Sequence, residues 1–227
     1  MSTRLIVDNT SQLKELNDSE QPLPIRLAAR IISYMFHPVF IPVYTVLFLL
    51  YILPDVFAGF TKWEKTLVLL QALLMYGFFP LVTVLLLKAL KFIDSVYLNT
   101  QKDRIIPFIA CGIWYFWIWY VWRNLPDYHR EVVILAMAIF LASSIGLMGN
   151  IYMKISMHAI AMGVVMSFMM LLAFTQPLRF GVYISITLFI TGLVCTARFI
   201  VSDHKPKEIY GGLLAGIAAL LIATLFV

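Results

Sequence analysis

Residues 180–227 read FGVYISITLFITGLVCTARFIVSDHKPKEIYGGLLAGIAALLIATLFV. Two apolar runs, 180–199 and 209–227, enclose the polar stretch ARFIVSDHKPKE. Each run is close to the roughly 18–20 residues that a helix needs to cross a bilayer. Neither alternates as a barrel strand does, so both are read as helices. The same reading extends toward the N-terminus. Spans are expected near 31–53, 66–87, 105–122, 132–149 and 157–175, besides the two above. The fold class is an all-α, polytopic transmembrane bundle of six or seven spans, occupying residues 26–227.

Composition agrees. Of 227 residues, 62% are hydrophobic and 13% charged, against about half and a quarter in soluble domains. The net charge of +5 fits loop topology and anionic lipid surfaces better than nucleic acid, since no basic run is interleaved with aromatics. Cys111 and Cys195 fall inside apolar runs and read as core thiols. Residues 1–25 are polar, lack the apolar core of a signal peptide, and are expected to be a disordered tail. The expected setting is a bacterial cytoplasmic membrane, with membrane lipids as partners. Which side the site faces stays open. Positive residues gather on the tail's face, but six of them (Lys102, Arg104, Lys154, Arg198, Lys205 and Lys207) are candidates for holding phosphate instead.

Polar residues sort by face. Counting crossings from the tail, the 88–104, 150–156 and 200–208 loops share its side. They carry Lys102 and Arg104; Lys154, Ser156 and His158; and Arg198, His204 and Glu208. A membrane chain rarely gathers such groups unless something polar is held there. Arg198, Arg104 and Lys102 would grip non-bridging phosphate oxygens, and Ser156 would donate a hydroxyl. If the turn at Pro206 is helical, His204 and Glu208 are i,i+4 neighbours. The carboxylate would then hold one imidazole nitrogen while the other attacks phosphorus. His158 would protonate the leaving oxygen. The expectation is a pocket near the membrane surface with His158 and His204 facing each other. Taken singly, a lysine at a span end is a topology signal or snorkelling anchor. Two histidines and a glutamate could also serve zinc, but no HExxH or similar short pair is present, so no metal and no cofactor is expected.

Other features have plainer readings. Trp114, Trp117, Trp119 and Trp122 fit an interfacial aromatic belt, with a lipid-access groove as the sharper alternative. Gly212 and Gly216 fit close helix packing. Pro38 and Pro42 would kink the first span or break it near the site, and His37 beside them reads as interfacial rather than catalytic.

The spacing resembles the type 2 phosphatidic-acid phosphatase superfamily, membrane enzymes acting on lipid phosphates and polyprenyl diphosphates. Its third motif, Ser-Arg-x5-His-x3-Asp, is similar to Ala197-Arg198-x5-His204-x3-Glu208. Its second, Pro-Ser-Gly-His, is similar to Ile155-Ser156-Met157-His158. Its first places a lysine seven residues before Arg-Pro. Here Arg104 precedes Pro107, Tyr97 stands at the lysine place, and Lys102 is the substitute. The resemblance covers roughly residues 102–216. It implies His204 as the nucleophile forming a phosphohistidine, Glu208 orienting it, and His158 as the general acid. It further implies Arg104, Ser156 and Arg198 on phosphate, and a core of six spans. The alternative is a non-catalytic membrane protein of the same fold, a lipid binder or assembly subunit. A transporter fits less well, because no span carries an ionisable residue near its centre.

Overall fold

The computed structural model describes residues 4–7, 13–16, 21–96, 98, 100–176, 180–202 and 204–227. Among them are eight helices: α1 (Leu23–Met35), α2 (Ile41–Tyr51), α3 (Lys62–Ala89), α4 (Gln101–Arg123), α5 (Arg130–Tyr152), α6 (Met157–Thr175), α7 (Gly181–Val201) and α8 (Pro206–Phe226). The six from α3 to α8 are long and apolar enough to cross a membrane. The protein is an integral membrane helical bundle with lipid as its surroundings.

The span expected at 31–53 is not one helix. Pro38 has no N–H to donate and pushes His37 out of the helical region, so α1 ends at Met35. Pro42, in the first turn of α2, is tolerated where a donor would be orphaned anyway. What remains as α2 is about 16 Å long, too short for a hydrocarbon core of about 30 Å. Of the six or seven spans expected, the described residues form six. Helix α1 begins at Leu23, and in the tail the backbone of Arg4–Val7 (β1) pairs antiparallel with Leu13–Leu16 (β2). The aliphatic run Leu5-Ile6-Val7 favours an extended strand. The rest of the tail lies outside the described residues.

Helix α3 starts at a capping box, Thr61 accepting from the Glu64 N–H and Glu64 reaching back to Thr61. It widens into a π-helical turn over Leu73–Phe78, just before Pro80, where the Phe79 N–H reaches the Leu74 carbonyl. Helix α5 is the most enclosed of the six. Helices α6 and α8 are in backbone contact. A side chain on Gly216 would collide with the Ile160 carbonyl, one on Gly163 with the Leu213 carbonyl, and one on Gly212 would sit 2.8 Å from the Ser156 carbonyl oxygen. Small residues at both faces permit that approach.

The four tryptophans of α4 do not make a simple belt. Trp117 is exposed, whereas Trp119 and Trp122 are buried in the bundle. Trp114 stacks on Phe79 and donates to Thr83 Oγ1 at 3.1 Å.

Candidate functional site

The polar stretch between α7 and α8 folds locally. Pro206 takes the first position of α8 and Glu208 the third. From there the Glu208 carboxylate accepts the Lys205 N–H at 3.1 Å and meets His204 Nδ1 at 3.0 Å. A carboxylate at a helix start is stabilised by the free N–H groups there. Both side chains are buried, His204 9% and Glu208 8% exposed. The ionised carboxylate accepts, so Nδ1 carries the hydrogen and Nε2 keeps its lone pair. Burial holds His204 below the ordinary histidine range. The Glu208 bond opposes that, and Arg104 and Arg198 add to it. The imidazole is neutral at pH 7.

Two other loops are tied to this junction. Gln101 Nε2 donates to the Asn150 carbonyl at 2.8 Å, and Asn150 Nδ2 returns a bond to the Gln101 carbonyl at 2.7 Å. The Ser156 N–H donates to the Glu208 carbonyl at 3.1 Å. Arg104 is 5% exposed and braces the same region. Its Nε donates to the Leu98 carbonyl and its Nη1 to the Ile155 carbonyl, both at 2.8 Å. Leu98 sits in the left-handed region at φ 51°, a conformation that needs outside support in a residue with a branched side chain. Arg198, in the last turn of α7, has a buried Nε without a partner among the described residues.

Arg104, His158, Arg198 and His204 all line one cavity of about 870 Å³. Its polar end also takes in Arg30, His37 and Lys154. Its other arm is apolar, lined by Leu81, Val84 and Leu85 of α3, Phe108 and Tyr115 of α4, and Leu135 and Ile139 of α5. Tyr115 is about 16 Å further along α4 than Arg104. The cavity therefore joins a cationic, histidine-rich mouth to an arm reaching well into the bundle.

Three expected site residues are placed differently from the rest. Lys102 is exposed and off the cavity. Two positions separate it from Arg104, about 200° around a helix, so both cannot face the same way. Ser156 is fully buried, and its Oγ accepts the Ala159 N–H at 3.4 Å as the cap of α6. It shapes the site through its backbone, while its hydroxyl does not line the cavity. Glu208 stands behind His204, off the cavity wall.

The sequence reading took His37 as interfacial rather than catalytic, and the structure brings it to the cavity. Its ring lies 5.5 Å from that of His158 at 82°, and His158 Nε2 meets the Ser33 carbonyl at 3.1 Å. Arg30 at the mouth was left out of the expected set, while Lys154, expected on the same face, does line the cavity. The signal for His37 was its place before Pro38, which ends α1 beside α6. No protein-family model matches this chain, and neither a curated protein nor a solved structure matches it.

Proposed function

We propose that the protein is a membrane phosphatase of the type 2 phosphatidic-acid phosphatase kind, hydrolysing a phosphate ester or diphosphate of a lipid or polyprenyl substrate. The cytoplasmic membrane of a bacterium is its proposed setting. The observation that carries this reading is the buried His204–Glu208 pair, with no hydrogen-bond partner for His204 Nε2 among the described residues and His204 on a cavity shared with Arg104, His158 and Arg198. The Arg198 guanidinium holds the phosphate oxygens. Arg104, with two donors already spent on carbonyls, supplies charge and its remaining donors. The apolar arm takes the hydrocarbon chain.

His204 Nε2 attacks phosphorus, and an N–P bond forms as the P–O bond to the lipid breaks. His158 is neutral at rest, takes up a proton as the phosphate anion binds beside it, and gives that proton to the leaving oxygen. Water then attacks the phosphohistidine, its proton passes to His158, and the N–P bond breaks to release phosphate. Glu208 keeps His204 in the reactive tautomer and balances its charge while the phosphoenzyme lasts.

The binding of Arg104 to two main-chain carbonyls favours a second reading, a non-catalytic lipid-phosphate binder of the same fold. Phosphate release from a panel of lipid phosphates and polyprenyl diphosphates, with and without EDTA, separates the two. Activity that is lost in His204→Ala, with a base-stable, acid-labile ³²P label on wild type alone, supports the enzyme. Release by neither protein supports the binder. Equal release by both, or activity restored only by a divalent ion, overturns the histidine mechanism.

A further inference from the structure

The break between α1 and α2 touches the site through two groups that the mechanism above leaves unused. Ending a helix orphans its last carbonyls. With Pro38 in place, the His37 N–H turns to the Tyr34 carbonyl at 3.3 Å. The Ser33 carbonyl, four residues before His37, is taken instead by His158 Nε2 at 3.1 Å, from a position 125 residues away. A carbonyl oxygen only accepts. His158 Nε2 therefore carries hydrogen, and in the neutral ring Nδ1 is bare.

His37 packs beside this bond. Its ring stands nearly perpendicular to that of His158, with centroids 5.5 Å apart. Its own Nδ1 accepts the Val39 N–H at 3.4 Å, so the break also sets the tilt of this ring. Burial, reinforced by Arg198, holds His37 below the ordinary histidine range. The groups facing it are Arg198 of α7, His158 of α6 and the Phe40 ring of the break itself, 6.2 Å away. A neutral ring can press against His158 without adding a charge, which a lysine or arginine could not do.

We propose that His37 is a positioning residue: its ring, with the Ser33 carbonyl, fixes His158 as the Nε2–H tautomer and assigns proton exchange with substrate to Nδ1. The tautomer assignment stands on the hydrogen bonding alone, while its catalytic consequence rests on the function proposed above. On that function, the Nδ1–H bond of protonated His158 breaks as the O–H bond of the leaving alcohol forms. The hydrolytic water then returns a hydrogen to Nδ1, and Nε2–H stays on the Ser33 carbonyl throughout. The proline break is accordingly part of the catalytic apparatus.

The test uses full-length protein in nanodiscs with ¹⁵N-labelled histidine. The chain has only four histidines, so single His→Gln variants assign the spectrum. Wild type is expected to give a protonated Nε2 and a bare Nδ1 for His158. His37→Ala should average those two shifts as the ring gains a second tautomer, and His37→Phe, which keeps a neutral ring, should restore them. In parallel, His37→Ala should slow hydrolysis of a lipid phosphate between about 10- and 100-fold, the scale of a misplaced group. Nitrophenyl phosphate, whose leaving group needs little protonation, should be slowed far less, and His37→Phe should recover most of the loss. A His158 spectrum unchanged in His37→Ala, or a wild-type ring protonated on Nδ1, overturns the proposal. Equal slowing of both esters also overturns it. If His37→Ala does not fold, His37→Gln takes its place in both measurements. Wild-type protein that cleaves no phosphate ester defeats the proposed function, and the spectra still decide the role of His37.

Discussion

The two ends of the bundle bury polar groups on opposite principles. At the end away from the site, Gln71 accepts from Trp122 Nε1 at 2.8 Å and from the Tyr128 hydroxyl at 3.3 Å. All three groups are neutral, and Trp122 is completely enclosed. At the site end the buried groups are the Arg104 guanidinium, the Glu208 carboxylate and the His204 imidazole, with Arg198 and His158 half-buried beside them. There Arg104 leans on main-chain carbonyls, and Arg198 keeps an Nε unpartnered among the described residues. A buried charge without a full complement of partners costs stability. One end is arranged to hold the helices together. The other carries unspent donors that an anion would complete.

Substitutions at the two ends should therefore separate activity from stability. The largest effect is expected from His204→Ala, which removes the proposed nucleophile and should lower turnover by at least about 10⁴-fold, a far larger change than the stability lost when Glu208 gives up one partner. Glu208→Gln should follow, with a loss of about 10²- to 10⁴-fold measured as kcat, because a neutral amide balances the developing imidazolium poorly. Arg198→Met should cost about 10²- to 10³-fold in kcat/KM. It should also raise the melting temperature, since an apolar side chain replaces a half-satisfied cation. A melting temperature that falls instead would mean that Arg198 is structural, and the contrast between the ends would fail.

Acid sharpens the same contrast. His204 is held below its ordinary value of about 6.5. Below that pH the unfolded chain binds a proton that folded His204 still refuses. The folded state is therefore penalised as pH falls through the unfolded value, and stability declines as pH drops below about 6.5. Nε2 still keeps its lone pair just below that value, so the acid limb of kcat/KM should lie below about pH 6.5. In Arg198→Met, with one repelling cation gone, that limb should move upward. The smallest effect belongs to the far end. Gln71→Leu strands the Trp122 N–H and should cost about 1 kcal/mol in urea or thermal unfolding, with kcat unchanged.

How much of this was legible depended on sequence distance. His204 and Glu208 lie within one helical turn, and Pro206 marks where that turn starts, so their pairing could be read before any fold was known. The bond from His158 to the Ser33 carbonyl could not. It joins distant segments, and its acceptor is a main-chain group with no side-chain signature. The first stretch was counted as one crossing because a hydropathy window sums apolarity, whereas the break itself was legible as one of two readings of Pro38 and Pro42. Lys102 was grouped with Arg104 by proximity in the chain, whereas helical geometry sends them to different sides. Ser156 was read as a free hydroxyl, though its place at a helix start commits it to capping.

The glycine contact between α6 and α8 limits how the cavity can change shape. Gly163 and Gly216 leave no slack between the two backbones, so the helices carrying His158 and Glu208 form one anvil. The opposite wall, α1 and α2, is the lighter one: one helix is amphipathic and the other too short to span. The bond from His158 Nε2 to the Ser33 carbonyl is the rivet between that wall and the anvil.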